Sequence, residues 1–383
     1  MDTVRLKFRY DWNSIAQEYR ELYFGEEIPQ RKAGKVTPTN SSRPVRTNNA
    51  WRKEQQRKGV YTPKYWLEID FIDPSITYFV IELSLPKLLF GTSVIEIKTE
   101  HRDLVIKKIQ EFCKSVGIRL FERQILEIVP MAVAFGKNTD ITDIATCWQA
   151  ITALSLLDDR FRSECRILKF EKGGCELYFN SKSSTFKVYD KLREVANNAV
   201  TPEEHKIVEA SKSPVQKQTW IVETLRTELT LKDSSAIRKR LKPYIQGKPT
   251  FGSMFRDEIW KELLKNEVER IFNHPLVDFV FLSTLQANII EKLLDKYVKH
   301  HVTKLRIKDA IEKVQRLGGT RELRRYYTET YKSRQTYYNH QKVLNTLIKN
   351  IEISELENLT ASKFHVFYLR QFGIENSLQN KLF

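Results

Sequence analysis

No apolar run in this chain approaches the ~18 residues that a helix needs to cross a bilayer, which argues against a membrane span. The first residues, MDTVRLKFRYDWNSIAQEYR, are charged and aromatic throughout and lack the apolar segment of a secretory signal. Phosphate-binding glycine loops are missing too. There is no GxxxxGKS/T and no GxGxxG turn, which disfavours ATP-driven and dinucleotide chemistry. HExxH is absent, and His300 and His301 are adjacent on an expected helix, where neighbours do not face one another. Cysteine is scarce: Cys113, Cys147, Cys165 and Cys175 fall at irregular spacings without a CxxC, so structural zinc is not expected and free thiols are. These absences lead to the expectation of a soluble, cytoplasmic protein.

What the chain has in excess is positive charge. Its 64 Lys+Arg stand against 48 Asp+Glu, a formal net of +16, and the pI is near 9.5. Such an excess favours a polyanionic partner, most often nucleic acid. An acidic membrane surface would call for a basic amphipathic helix or a lipid anchor, and neither is visible, so DNA is expected and membrane is not. With 383 residues, 41% of them hydrophobic, the chain can bury a sizeable core and has the length of two domains.

Four regions follow from composition and periodicity. Residues 1–26 form an N-terminal segment. Residues 27–59, rich in Pro, Asn, Ser, Thr, Arg and Lys, read as a basic flexible arm or loop in which Trp51 is free to stack on a base. Residues 60–240 alternate strand-like and helical runs. YWLEIDF (65–71), ITYFVIELSL (76–85), ILEIVPMAVAF (125–135), RILKF, CELYF, TFKVYD and TWIVETLRTELTLK (219–232) read as strands, with Pro130 weakening the third. Residues 101–117 and 140–157 read as helices, the first with Leu104, Ile106, Ile109, Phe112 and Val116 on one face. Hairpin connections point to an α+β fold, an antiparallel sheet with flanking helices. Residues 241–383 read as an all-helical domain.

Three strand-like segments carry the chemistry. In VIELSLPKLLFG (80–91) the period of two sets Glu82 and Ser84 on one face, and Pro86, Lys87 and Gly91 shape a sharp exit. In TFKVYDK, Lys187, Tyr189 and Lys191 share a face. In TLRTELTLK, Arg226, Glu228, Thr230 and Lys232 do. Strands of one sheet with polar groups on one face can assemble carboxylates, cations and a tyrosine; a solvated sheet face is the plainer alternative.

IELSLPKLLFG, FKVYDKLREV and LRTELTLK, in this order and at these separations, resemble the replication initiators of filamentous phages and the related rolling-circle plasmid proteins, over about residues 80–232. The resemblance implies an HUH-class, RRM-like palm and a tyrosine endonuclease and ligase, acting on single-stranded or supercoiled origin DNA in the cytoplasm of a bacterial or similar host. It makes Tyr189 the nucleophile, Lys191 its phosphate-neutralising neighbour, Glu228 a ligand of a divalent metal (Mg or Mn), and Glu82 a second ligand. Lys87, Arg226 and Lys187 become phosphate contacts, and a host helicase or polymerase a further partner. Relatives carry an Asp or His on the strand between the first two motifs, where MAVAFGKN here offers Ala134. Glu127 or Asp140 serving instead, a metal held with more waters, and a non-catalytic origin binder or repressor descended from such an initiator are the alternatives.

In the tail, TRELRRYYTETYKSRQTYYNHQK (320–342) interleaves Arg321, Arg324, Arg325 and Arg334 with Tyr326, Tyr327, Tyr331, Tyr337 and Tyr338. Such a helix can grip phosphates and stack on bases, or pack its tyrosines into a bundle. The helix, Gly-Gly turn and helix of residues 305–329 also fit a helix-turn-helix.

Overall fold

The computed structural model describes residues 1–24, 42–44, 49–70, 73, 76–155, 164–171, 173–216, 219–272, 287–317, 320–331 and 367–374. Among the described residues nine strands make one sheet: β1 (Thr3–Arg9), β2 (Ser42–Pro44), β3 (Lys64–Asp70), β4 (Thr77–Ser84), β5 (Ala132–Asp140), β6 (Glu164–Lys169), β7 (Cys175–Asn180), β8 (Ser184–Asp190) and β9 (Thr224–Leu231). Their order is β2-β3-β4-β1-β5-β9-β8-β7-β6, and every neighbouring pair is antiparallel. The expected α+β class with an antiparallel sheet is therefore present. The sheet begins well before residue 60, because VRLKFR alternates apolar and basic residues and forms β1 near its centre.

Alternation divides the sheet into two faces. One carries Val4, Leu6, Phe8, Phe79, Ile81, Val133, Phe135, Phe186, Val188, Leu225, Leu229 and Leu231, all buried. Fully burying each such side chain contributes ~1.5–3 kcal/mol. Helices supply the covering layer. In chain order the described helices of eight or more residues, with two shorter ones that matter here, are α1 (Asn49–Arg57), α2 (Leu85–Phe90), α3 (Arg102–Ser115), α4 (Glu122–Glu127), α5 (Cys147–Ser155), α6 (Lys191–Asn198), α7 (Pro202–Ala210), α8 (Ser234–Leu241), α9 (Asp257–Phe272), α10 (Ala287–Tyr297), α11 (His301–Leu317) and α12 (Thr320–Tyr331). Val105, Ile106, Ile109 and Cys113 of α3 and Ala150, Ile151 and Leu154 of α5 join the same core. So do Ile259, Leu263, Leu264 and Val268 of α9 and, near the C-terminus, Tyr368, Leu369 and Phe372. Tyr368 also shares a 2.6 Å hydroxyl hydrogen bond with Thr227 of β9. Residues beyond 240 thus complete the core of the sheet, whatever unit the remaining helices form.

Several local expectations change. The stretch 125–135 is the end of helix α4, an irregular link through Pro130 with a bend at Met131, and the start of β5, since Pro130 cannot donate to a ladder. The helix sought from residue 140 begins at Cys147, after β5 has run to Asp140. Thr146 and Gln149 cap it reciprocally: the Thr146 amide donates to Gln149 Oε1 (3.0 Å) and the Gln149 amide to Thr146 Oγ1 (3.2 Å). Within the expected arm lie β2 and α1, and Trp51 packs edge-on to Tyr23 and Tyr65, with ring centroids 5.0 and 6.3 Å away.

Candidate active site

The polar face of the sheet is built by the residues that alternate with the core. Registered pairs across β5, β9 and β8 place Gly136 opposite Glu228, Glu228 opposite Lys187, Asn138 opposite Arg226, and Arg226 opposite Tyr189. Tyr189, Arg226 and Glu228, from two separate motifs, meet there. The Tyr189 hydroxyl donates to Glu228 Oε2 at 3.2 Å, and Thr230 Oγ1 donates to the other carboxylate oxygen at 3.2 Å. Both Tyr189 and Arg226 are buried.

The strand ends at Asp190 because that residue caps the next helix. Its carboxylate accepts the Arg193 amide at 3.1 Å, so Lys191 opens α6 instead of extending the strand. Lys191 is nonetheless turned toward the tyrosine, its Nζ 5.6 Å from the ring centroid. Ser93 Oγ at 2.8 Å and Glu194 Oε2 at 2.9 Å hold the ammonium.

Arg226 is the centre of the cluster. Its Nη2 lies 2.8 Å from Asp2 Oδ2, its Nη1 donates to Asn138 Oδ1 at 2.7 Å, and its Nε is 3.8 Å from Glu228 Oε2. The guanidinium lies against the bare Cα of Gly136, where a Cβ would come within 2.4 Å of Nη2. Glycine is required here by close approach, not by backbone angle. Asp2 is fixed from both sides: its amide donates to the Ala134 carbonyl (2.8 Å) and its carbonyl accepts from the Leu85 amide (2.7 Å).

These contacts set the ionisation. Burial, then the negative charge of Glu228, push the Tyr189 phenol well above its ordinary range, with Arg226 opposing. Burial and the charge of Asp2 raise the Glu228 carboxylate, against Arg226, Lys187 and Lys191. For Asp2, burial works upward, but Arg226 outweighs it and holds the carboxyl below its usual range.

Other expected site residues lie elsewhere. Glu82 is on the same face but is salt-bridged to Arg5 and, at 3.2 Å, to Lys64. Strands β1 and β5 and four residues of register separate it from Glu228, about 20 Å at ordinary strand spacings. Ala134 is on this face and adjoins Thr230, with no ligating atom in its side chain. Glu127 ends helix α4, exposed and bonded to Arg123, and Asp140 closes β5, bonded to Thr142; neither reaches the cluster. Lys87 is paired with the buried Glu204 at 2.7 Å. Lys187 stands beside Glu228 but is 3.5 Å from Glu176. In the tail, Arg325 is bonded to Glu329, and Tyr327 is buried with Lys313 Nζ 5.5 Å from its ring. Arg334, Tyr337 and Tyr338 lie outside the described residues, as do the side chains of Arg321, Arg324 and Tyr331.

A second group has metal-ligand chemistry. Ligand atoms of Cys147, Asp190 and Glu223 lie within 4.8 Å of one another. A guanidinium already fills this place: Arg193 donates twice to Glu223 at 2.9 Å and also to Asp190. Burial and the neighbouring carboxylates push the Cys147 thiol upward, away from the thiolate a metal needs. The group is a structural ion cluster. Sequence reading missed Asp2, Gly136, Asn138 and Ser93 at the tyrosine; for Asp2 the strand-like VRLKFR directly after it was the available signal. Comparison of the chain with protein-family models, with curated proteins and with solved structures finds no match.

Proposed function

We propose that the chain is a rolling-circle replication initiator that cuts and rejoins single-stranded origin DNA through Tyr189. The observation that carries this reading is the meeting of Tyr189, Lys191, Arg226 and Glu228 in one buried polar cluster on an antiparallel sheet. Under it, the sheet is a palm of the HUH type, and the helices after residue 240 include an accessory DNA-binding domain. The +16 charge supports a DNA partner, with a host helicase or polymerase following at the nicked origin.

In the reaction, the Tyr189 oxygen attacks a phosphodiester phosphorus and the P–O3′ bond breaks. The products are a 5′-phosphotyrosyl link and a 3′-hydroxyl. Glu228 Oε2, already accepting the phenol's hydrogen bond, takes its proton during attack and returns it to the departing 3′-oxygen. Rejoining is the reverse. A phenol is a weak nucleophile at neutral pH, and burial weakens this one further. Lys191 and Arg226 place positive charge where the phosphoryl oxygens become more negative. A divalent ion, Mg or Mn, on Glu228 would add Lewis-acid polarisation of the phosphate. Glu228 fits such an ion by chemistry and position, and Glu82 does not, by its distance.

A second reading rests on the closure of the site. Tyr189 is 6% exposed, and Arg226 and Lys87 are engaged with Asp2 and Glu204. That arrangement favours a non-catalytic origin binder or repressor of the same descent. Incubation with supercoiled or single-stranded origin DNA and Mg or Mn separates the two. The initiator gives a covalent protein–DNA adduct that Tyr189→Phe abolishes and Glu228→Ala depresses, with salt-sensitive DNA binding retained. An adduct that survives Tyr189→Phe refutes the assignment; salt-sensitive binding without any adduct selects the binder.

A further inference from the structure

Between Asp233 and Asp257 the chain holds six cations and no acid. The segment opens with α8, and the packing of that helix decides which of the six are available. Ala236, Ile237 and Leu241 enter the core, against the helical face of β5 and β9. Arg240, on the same side of the helix, reaches the buried Glu267 at 2.8 Å. At about 100° per residue, Arg238, Lys239 and Lys242 fall on the opposite side, and all three are exposed. Lys248 and Arg256, also exposed, extend this surface beyond the helix. Arg256 donates to the Tyr244 carbonyl, which brings it beside the turn that carries Lys242 and Lys248.

Little in the fold neutralises these charges. Among the described residues Arg238, Lys239, Lys242 and Lys248 form no ion pair. The flanking acids are engaged elsewhere: Asp233 accepts the Ala236 amide at 2.8 Å, and Asp257 accepts the Thr99 amide at 3.1 Å and the Trp260 indole at 3.2 Å. Complementing the C-terminal dipole of α8 accounts for cations in its last turn, but not for Lys248 and Arg256 past its end. Arg238 and Lys242 are like charges one turn apart, which destabilises a helix until an anion relieves it. On α3, by contrast, Lys107 and Lys114 alternate with Asp103 and Glu111.

The chemistry of the surface selects its partner. No large apolar side chain is exposed between residues 234 and 256, so nothing there would enter a lipid layer. No aromatic ring is exposed either; Tyr244 is half-buried and its hydroxyl accepts the Asn266 amide at 2.7 Å. Single strands are gripped by base stacking as well as by phosphate contacts, whereas a surface of cations alone meets the regular phosphates of a duplex. The strands that α8 covers carry Glu228 and Asn138 on their other face.

We propose that the exposed side of α8 and the turn after it bind the phosphate backbone of duplex DNA, on the face of the sheet opposite Tyr189. The choice of DNA over RNA rests on the function proposed above; the surface itself does not. The affinity of the full-length protein for a fluorescently labelled duplex of about 30 base pairs is measured by anisotropy across NaCl concentrations, because the slope of log affinity against log salt counts phosphate contacts. Arg238→Gln, Lys239→Gln, Lys242→Gln and Lys248→Gln together are expected to reduce that slope by about 3–4, at about 0.9 per contact, and to weaken binding about tenfold or more. The pair Lys239→Gln and Lys248→Gln gives about half of the slope change and serves where the fourfold variant does not fold. A charge-matched variant, Lys107→Gln, Lys114→Gln, Arg119→Gln and Lys206→Gln, removes cations exposed elsewhere and keeps the wild-type slope, as does Tyr189→Phe. Wild-type protein that does not bind the duplex, patch variants with an unchanged slope, or a charge-matched variant that loses as much overturns the proposal. So does a patch variant that loses affinity for phosphatidylserine vesicles but keeps it for the duplex. The expected slopes without a Tyr189-dependent adduct would remove the initiator reading and leave this surface standing, and an adduct with unchanged slopes would do the reverse.

Discussion

Replacing Gly136 by alanine tests the packing of the site without touching any of its charged groups. A Cβ at that position would lie 2.4 Å from Arg226 Nη2, 2.7 Å from Cζ and 2.9 Å from Nε. The guanidinium would have to retreat by about 1 Å to reach ordinary van der Waals separation. It has no room to do so freely, being 1% exposed and held by Asp2 at 2.8 Å and Asn138 at 2.7 Å. Breaking one side of a buried pair costs about 3–5 kcal/mol. The reduced backbone freedom of alanine in the unfolded chain returns about 0.4–1 kcal/mol. A net loss of about 2–4 kcal/mol is expected in urea denaturation. The same substitution in an Arg226→Met background meets no guanidinium, so its cost there falls below about 1 kcal/mol, and the difference between backgrounds is the coupling energy. Equal costs in both backgrounds, or a single-variant loss under about 1 kcal/mol, would refute the close approach of Arg226 to Gly136.

Two further outcomes follow from the helix that begins beside the tyrosine. Asp190→Ala removes the cap of α6 and one partner of Arg193, which keeps its two bonds to Glu223; a loss of about 2 kcal/mol in chemical denaturation is expected, and one under about 0.5 kcal/mol would show that the cap is dispensable. For Glu194, burial works against the charged form, but Lys191 at 2.9 Å outweighs it and depresses the carboxyl. A depressed carboxyl stabilises the fold above its unfolded value of about 4.3 and loses that contribution as pH falls through the lower folded value. Melting temperatures followed from pH 7 to pH 3 should therefore decline less steeply in Glu194→Gln than in wild type, from a lower starting point; parallel curves would contradict the linkage.

The sheet was legible wherever alternation was strong. TFKVYD, CELYF and LRTELTL contain a two-residue period, and all three are strands whose polar faces coincide. Periodicity set Tyr189 and Glu228 each on the polar face of its own strand, and the resemblance of the three motifs singled them out. Strand order was not legible, because periodicity says which face a residue occupies and not which strand lies beside it. Glu82 illustrates the limit: its face was right, but β1 and β5 stand between it and Glu228. Helix rotation also escaped. In α3 the buried face includes Val105 and Cys113, while Leu104, expected inside, is 46% exposed. A one-residue rotation of 100° separates these readings, and an apolar residue at the edge of the stripe cannot decide between them. For Asp2 the strand-like run after it showed only that β1 starts there; its contacts with Ala134 and Arg226, more than 130 residues away in sequence, were not legible.

The charges around Tyr189 bear directly on the proposed nicking reaction. Around Tyr189, Lys187 is paired with Glu176, Lys191 with Glu194 and Arg226 with Asp2, while Glu228 shares Arg226 at 3.8 Å. A DNA phosphodiester entering this cluster adds another negative charge in a place where burial prevents water from screening it. Arg226 cannot answer that charge without leaving Asp2, and Lys191 cannot without leaving Glu194. Each such exchange frees a carboxylate, buried at Asp2 and half-buried at Glu194, so shifting existing pairs does not solve the imbalance. A divalent cation on Glu228, as the proposed function has it, would neutralise the surplus before the phosphate arrives and leave Arg226 and Lys191 free to reorient. Metal and DNA should then bind with positive coupling, each raising the affinity for the other by the same factor, as linkage requires.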